Sequence, residues 1–316
     1  MHFKHGAYYY VKRNQWERLS SDYAEALELY ANKVDPRGGG MAELIDEVLA
    51  YIKPRLKPST IAQYEYSARV LKPIFVEFAP EQVRPKHISA IKVSFAKTPN
   101  MANRYISFLR VVFAQAVEWQ RVDSNPCVGI KRHVEQQRTR LMTEKEFQAI
   151  RDAAQHRAVP VVMDLCLLTG QRISDVLKLR NEDISPDGIF FEQKKTDAKL
   201  KVRMTPDLEA TIALARVTHP PKQDAPKGTY ETLLYTRGGR PYSYKTIYEA
   251  FVRARKAAGV EDVVIHDMRA KAGTDAEEQG VDPQKLLGHT DSRQTKRYLR
   301  GKKVPVVDGP RRPKAG

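Results

Sequence analysis

Hydrophobic and polar positions alternate along the chain in blocks of different period. Residues 7–19, AYYYVKRNQWERL, are aromatic and β-branched on either side of a polar break at Lys12 to Gln15, which predicts a short hairpin. SSDYAEALELYANK follows with Ser and Asp cap candidates and good helix formers, so a strand-strand-helix module is expected over residues 1–35. The glycine-rich residues 36–40 read as a linker. Apolar residues then recur at helical spacing in MAELIDEVLAYI, STIAQYEYSARVLKPIFVEF, ISAIKVSFAK and NRYISFLRVVFAQAVEWQR, punctuated by Pro58, Pro73, Pro85 and Pro99. About four helices make residues 41–122 an all-α bundle.

Residues 123–140, DSNPCVGIKRHVEQQRTR, are polar with isolated apolar positions, the pattern of an extended basic linker between domains. Beyond it the periods mix. LMTEKEFQAIRDAAQ opens with a Thr-Glu-Lys-Glu capping box, VPVVMDLCLLTG is strongly apolar and reads as a buried helix, and ISDVLKLR continues as helix. IFFEQ and LKVRM are strand-like runs joined by KKTDAK, a hairpin presenting lysines at its bend. Four more segments, PDLEATIALARV, YSYKTIYEAFVRARKAAG, IHDMRAKAGTDAEEQ and DPQKLLG, are helical. The chain is therefore expected to be multidomain and mainly α. Residues 141–298 would form a mostly helical α+β domain with a small β-hairpin or sheet, followed by a tail over 299–316.

Charge changes the picture from architecture to partner. Lys and Arg number 54 against 38 Asp and Glu, a net charge of +16 that points to a polyanion. Faces of the helical bundle carry Lys53, Arg55, Lys57, Arg69, Lys72, Arg104 and Arg110. No run of about 18 apolar residues is present and the N-terminus lacks a signal-peptide core, so a soluble cytoplasmic protein without a membrane partner is expected. Cys127 and Cys166 stand far apart, without metal-ligand spacing, and read as small core residues; no metal or cofactor is implied.

Taken singly, the candidate chemical motifs are ordinary. Gly170 in Thr169-Gly170-Gln171-Arg172 suits a helix C-cap with a solvated arginine, while Asp175, one helical turn on, could hold that guanidinium. His266 and Arg269 share a helix face at spacing i, i+3, adequate for phosphate binding or for a plain helix start. His289 follows a glycine. Tyr298 lies nine residues later, among six cations between Arg293 and Lys303, and alone would be a surface aromatic.

Their order is less ordinary. An Arg after Thr-Gly, a lysine hairpin, His-x-x-Arg, Gly-His and a Tyr resemble the tyrosine recombinase, or phage integrase, family from about residue 140 onward. The resemblance implies a catalytic set of Arg172, Lys195, His266, Arg269, His289 and the nucleophile Tyr298. Lys195 is preferred because it directly precedes Thr196, with Lys194 and Lys199 as alternatives. Asp175 stands where the family commonly has Glu, and Met268 where it commonly has Leu; no catalytic position is substituted.

The same resemblance implies a site-specific DNA recombinase that cleaves and rejoins double-stranded DNA through a 3′-phosphotyrosyl intermediate, integrating or excising a phage or mobile element. It implies a homotetramer on synapsed attachment sites, with a DNA-bending factor and a directionality factor as further partners, in the nucleoid of a bacterial host. Residues 1–35 are similar to arm-site binding modules, and 41–122 to the family's core-binding domain. A type IB topoisomerase shares the catalytic groups, and a non-catalytic DNA-binding regulator would share the basic faces; these are the competing readings.

Overall fold

His5 and Gly6, with φ of 50° and 74°, form a two-residue turn that adds a strand the hydrophobic pattern did not predict. Positive φ at both central residues matches the twist of the strands on either side, and Gly6 adopts it without strain. In the computed structural model, which describes residues 1–12, 15–34, 40–193, 195–221, 226 and 228–300, the expected hairpin is therefore a three-stranded antiparallel sheet. It comprises β1 (His2–Lys4), β2 (Ala7–Lys12) and β3 (Gln15–Ser20), with α1 (Tyr23–Val34) against β2 and β3. The Asp22 carboxylate accepts from Glu25 N at 2.9 Å, capping α1. Of the expected linker 36–40, all but Gly40 lies outside the described residues.

The chain divides into two compact units, residues 1–136 and 137–316. In the first, four helices enclose a core: α2 (Met41–Ile52), α3 (Pro58–Leu71), α4 (Pro85–Ser94) and α5 (Pro99–Glu118). Pro58, Pro85 and Pro99 begin their helices, where a missing N–H has no helical partner to lose. Pro73 instead ends one. The pattern predicted a helix running on to Phe78, but α3 stops at Leu71 and passes into a 3₁₀ turn over Lys72–Phe75, because a proline interrupts the i→i−4 ladder. Leu44, Ile45, Leu71, Ile106, Leu109 and Phe113 are fully buried between these helices. The segment after α5 is tethered to it: Asn103 Nδ2 donates to the His133 carbonyl at 3.0 Å and to Glu135 at 2.7 Å.

The second unit is built around α7 (Ala158–Thr169), which is in contact with α6 (Glu144–Asp152) and with α9 (Pro206–Thr218), α10 (Tyr244–Ala257) and α11 (Asp267–Glu278). A helix apolar on most sides must be covered on most sides, and Val161, Met163 and Leu165 are accordingly fully buried, while Asp164 pairs with Arg151 Nε at 2.9 Å. Thr143 caps α6 as expected: its Oγ1 accepts from Glu146 N at 3.2 Å while Glu146 accepts from Thr143 N at 2.9 Å.

One expectation in this unit needs correction. ISDVLKLR does not continue as helix: α8 covers only Ile173–Val176. The Leu179 carbonyl accepts from Leu233 N at 2.8 Å, and this long-range pairing replaces the next helical turn. The expected lysine hairpin is present as β5 and β6, within a small sheet. β4 (Ile184–Ser185), β5 (Gly188–Glu192) and β6 (Lys199–Arg203) form an antiparallel sheet in that order. Two short helices, α12 (Pro283–Leu287) and α13 (Ser292–Lys296), complete the unit. Among the described residues no helix is long and apolar enough to cross a membrane.

Candidate active site

Gly170, at φ +65°, ends α7 in the left-handed conformation, and a Cβ there would stand 3.0 Å from Leu286 Cγ. This close approach lets α12 and the turn after it meet the end of α7. Arg269, on the first turn of α11, spans the junction. Its Nη1 donates to the Gly170 carbonyl at 2.5 Å and its Nη2 to the Leu287 carbonyl and, at 3.2 Å, to His289 Nε2. Arg269 is 1% exposed, and its Nε has no hydrogen-bond partner among the described residues. Burial, followed by the nearby Arg172 charge, pushes its pKa down to about 10, so it remains a cation at neutral pH.

An arginine only donates, so His289 Nε2 is the acceptor and Nδ1 carries the proton toward Thr295 Oγ1, 3.1 Å away. Tyr298 rests on this base. Its ring centroid lies 5.4 Å from the Arg269 guanidinium carbon and 5.0 Å from the His289 ring, and its hydroxyl is 2.9 Å from His266 Nε2. Desolvation and then repulsion from the guanidiniums of Arg269 and Arg172 hold His289 down at about 4. His266 keeps an exposed edge yet is also pushed to about 4, by desolvation and then by Arg269, Arg300 and Arg172, with Asp267 opposing. Both imidazoles are neutral at pH 7.

Of the six expected residues, the fold thus joins four directly: His266, Arg269, His289 and Tyr298. Arg172 joins through a residue the motif reading missed, since its Nη1 donates to Gln193 Oε1 at 2.8 Å and lies 4.0 Å from Asp175. Asp175 was expected to orient Arg172; the short bond goes to Gln193. Lys195 stands on the exposed turn between β5 and β6, one residue from Thr196, whose hydroxyl donates to the same Gln193 oxygen at 2.8 Å. Lys194 lies outside the described residues.

Asp267 was also missed. Fully buried beside His266, it accepts from Arg138 Nε at 3.0 Å, from Val264 N at 2.9 Å and from Arg300, two residues past Tyr298. Its place inside the His-x-x-Arg box was the available signal. Gln193 had none, because a glutamine closing a strand is unremarkable in composition and period. The described residues contain no group of three or more His, Cys, Asp or Glu placed to hold a metal. Cys127 and Cys166 are buried free thiols, each pushed up to about 12, first by burial.

The model of the phage integrase family matches residues 134–303, more than half of the chain. The chain belongs to the phage integrase family. The integrase of Escherichia phage HK022 is 26% identical over 254 residues, covering 77% of this chain and 70% of that protein. Prophage integrase IntE of Escherichia coli strain K12 is 29% identical over 279 residues, covering 80% and 73%. A lambda integrase dimer bound to a COC′ core site shares the fold, with a TM-score of 0.74 at 21% identity over 96% of this chain and 95% of that one. A lambda integrase tetramer bound to a Holliday junction also scores 0.74, at 20% identity, with the same coverage. As a member of the phage integrase family, the chain is a site-specific DNA recombinase that cleaves and rejoins DNA strands.

Proposed function

We propose that the cluster around Tyr298 is the strand-cleaving centre. The Tyr298 oxygen forms a bond to phosphorus as the bond to the 5′ oxygen breaks, leaving a 3′-phosphotyrosyl enzyme and a free 5′-hydroxyl. The observation that carries this reading is the 2.9 Å contact between the Tyr298 hydroxyl and His266 Nε2, a neutral imidazole able to accept the phenolic proton. Arg172 and Arg269 place two positive charges where the phosphorane gains negative charge. Arg172, its side chain 14% exposed, is the more open of the two to a DNA phosphate. Lys195 protonates the departing 5′ oxygen. His289 sets the edge of the site and, once a phosphate draws Arg269 away and the ring proton shifts from Nδ1 to Nε2, supplies a further donor.

The basic faces of residues 41–122 and the unit beginning at 137 grip the duplex, chiefly through salt-sensitive phosphate contacts. Residues 1–35 engage a second class of DNA site, as an arm-binding module would. The assembly is a dimer on one core site and a tetramer on the synapsed pair, a reading supported by the two lambda integrase complexes of like fold. A DNA-bending protein and a directionality factor assist, and the substrate is the attachment site of a phage or mobile element. The test is a duplex nicked near the crossover, which traps the covalent complex. The native protein should form an adduct and Tyr298→Phe none; an undiminished adduct from Tyr298→Phe would refute the assignment.

A further inference from the structure

Gln193 is fully buried immediately after β5. Its Oε1 accepts from Arg172 Nη1 at 2.8 Å and from Thr196 Oγ1 at 2.8 Å. Its Nε2 donates to Gln171 Oε1 at 2.7 Å and to the Leu287 carbonyl at 3.0 Å. Arg172 has only donors and the Leu287 carbonyl only accepts, so the amide can face one way alone, and all its hydrogen-bonding capacity is used. The backbone of the same residue closes the lysine turn: its carbonyl accepts from Asp197 N at 2.8 Å and its N–H donates to the Ala198 carbonyl at 2.9 Å.

One side chain therefore ties together Arg172, the turn that bears Lys195 and the turn that leads to His289. The Leu287 carbonyl it holds is also an acceptor for Arg269. Gly288 records the same contact from the other side. A Cβ there would lie 2.6 Å from Gln193 Nε2, so the glycine before His289 makes room for this amide as well as adopting φ +61°.

We propose that Gln193 is a positioning residue for strand cleavage, aiming Arg172 at the scissile phosphate and fixing the turn that presents Lys195. This rests on the roles assigned above to Arg172, Lys195 and Tyr298. The chemistry explains why an amide suits the position. A carboxylate would hold Arg172 equally well but would neutralise it, leaving less charge for the phosphate; an amide orients the guanidinium and leaves its charge intact.

The experiment follows single-turnover cleavage of the nicked duplex by wild type, Gln193→Met and Gln193→Glu on three substrates. One is the ordinary phosphodiester. The second carries a 5′-bridging sulfur, whose thiolate leaves without a proton. The third is a methylphosphonate, which bears one negative charge fewer. Gln193→Met should bind DNA as wild type does and cleave the ordinary substrate about 10–100-fold more slowly, since a misplacement of about 1 Å costs about 100-fold. That deficit should shrink about tenfold on the sulfur or methylphosphonate substrate, because each relieves the demand on a group Gln193 places. Gln193→Glu, which keeps an oxygen toward Arg172, should be slow on the phosphodiester and recover on the methylphosphonate. No slowing in either variant, or equal slowing on all three substrates, overturns the proposal. Tyr298→Phe and Arg172→Ala run alongside: an adduct from the former, or an unimpaired rate in the latter, removes the underlying site assignment instead.

Discussion

The Tyr298 hydroxyl and His266 Nε2 lie 2.9 Å apart, and the imidazole of that pair is uncharged at neutral pH. A neutral ring can accept the phenolic proton; an imidazolium could not. Because the folded pKa of about 4 is below the ordinary histidine value, the accepting form persists well into acid. The acid limb of single-turnover cleavage should therefore fall near pH 4–5, with little loss between about pH 8 and 6. A half-loss centred near 6.5 would contradict the pairing. His266→Ala should slow cleavage by about 100-fold.

Folding stability should follow the same sign. His219, His266 and His289 each titrate near 4 in the folded chain, with desolvation the leading cause, whereas the unfolded chain takes up protons near 6.5. Below that value the unfolded state binds more protons. Stability is fully present above about pH 6.5 and declines as pH falls toward 4. Chemical denaturation at a series of pH values checks this, and a midpoint that rises on acidification would contradict it.

Asp267 is a fully buried carboxylate held by Arg138, Arg300 and the Val264 N–H. Those hydrogen bonds and charges outweigh the cost of burial and hold its pKa below the ordinary value. Asp267→Asn should destabilise the unit by about 3–5 kcal/mol, since it removes the buried carboxylate that pairs with both Arg138 and Arg300. It should also loosen the segment after Tyr298, because Arg300 is held there. Thermal melting reads the first effect, and the rate of adduct formation by the folded fraction reads the second.

Arg172→Lys should lower cleavage by about 100–1000-fold although the charge is kept. An ammonium cannot reproduce a planar fork that holds Gln193 with one arm and presents its remaining donors to a phosphate. DNA affinity, carried mainly by the wider basic surface, should change by no more than about threefold.

Of the two alternative hairpin lysines, Lys199 is separable by substitution. Lys199 pairs with Glu192 across the strands at 3.6 Å, an exposed contact contributing roughly 0–1 kcal/mol, whereas Lys195 stands on the turn itself. Lys195→Ala should slow cleavage by about 100-fold and recover on a sulfur leaving group. Lys199→Ala should stay within about threefold of wild type. The reverse pattern would move the general acid to Lys199.

Local rules were enough to read much of this chain from its sequence. The capping box at Thr143, the strongly apolar α7, its glycine cap at Gly170 and the proline-headed helices α3 to α5 depend on neighbours a few residues away, so periodicity and cap chemistry reveal them. The set of Arg172, His266, Arg269, His289 and Tyr298 came instead from the resemblance of their order to a known family, since each short motif taken singly is ordinary. What lay beyond it was long-range. β1 needed a turn at His5-Gly6 to be weighed as a hairpin, and α8 ended early because Leu179 pairs with Leu233. Gln193 shows no motif and lies 21 positions from Arg172 in sequence, whereas Asp175, 4.0 Å from that guanidinium, is on the next helical turn. Only folding brings residues 171, 172, 193, 196 and 287 onto one buried amide, where every donor and acceptor must find a partner at once.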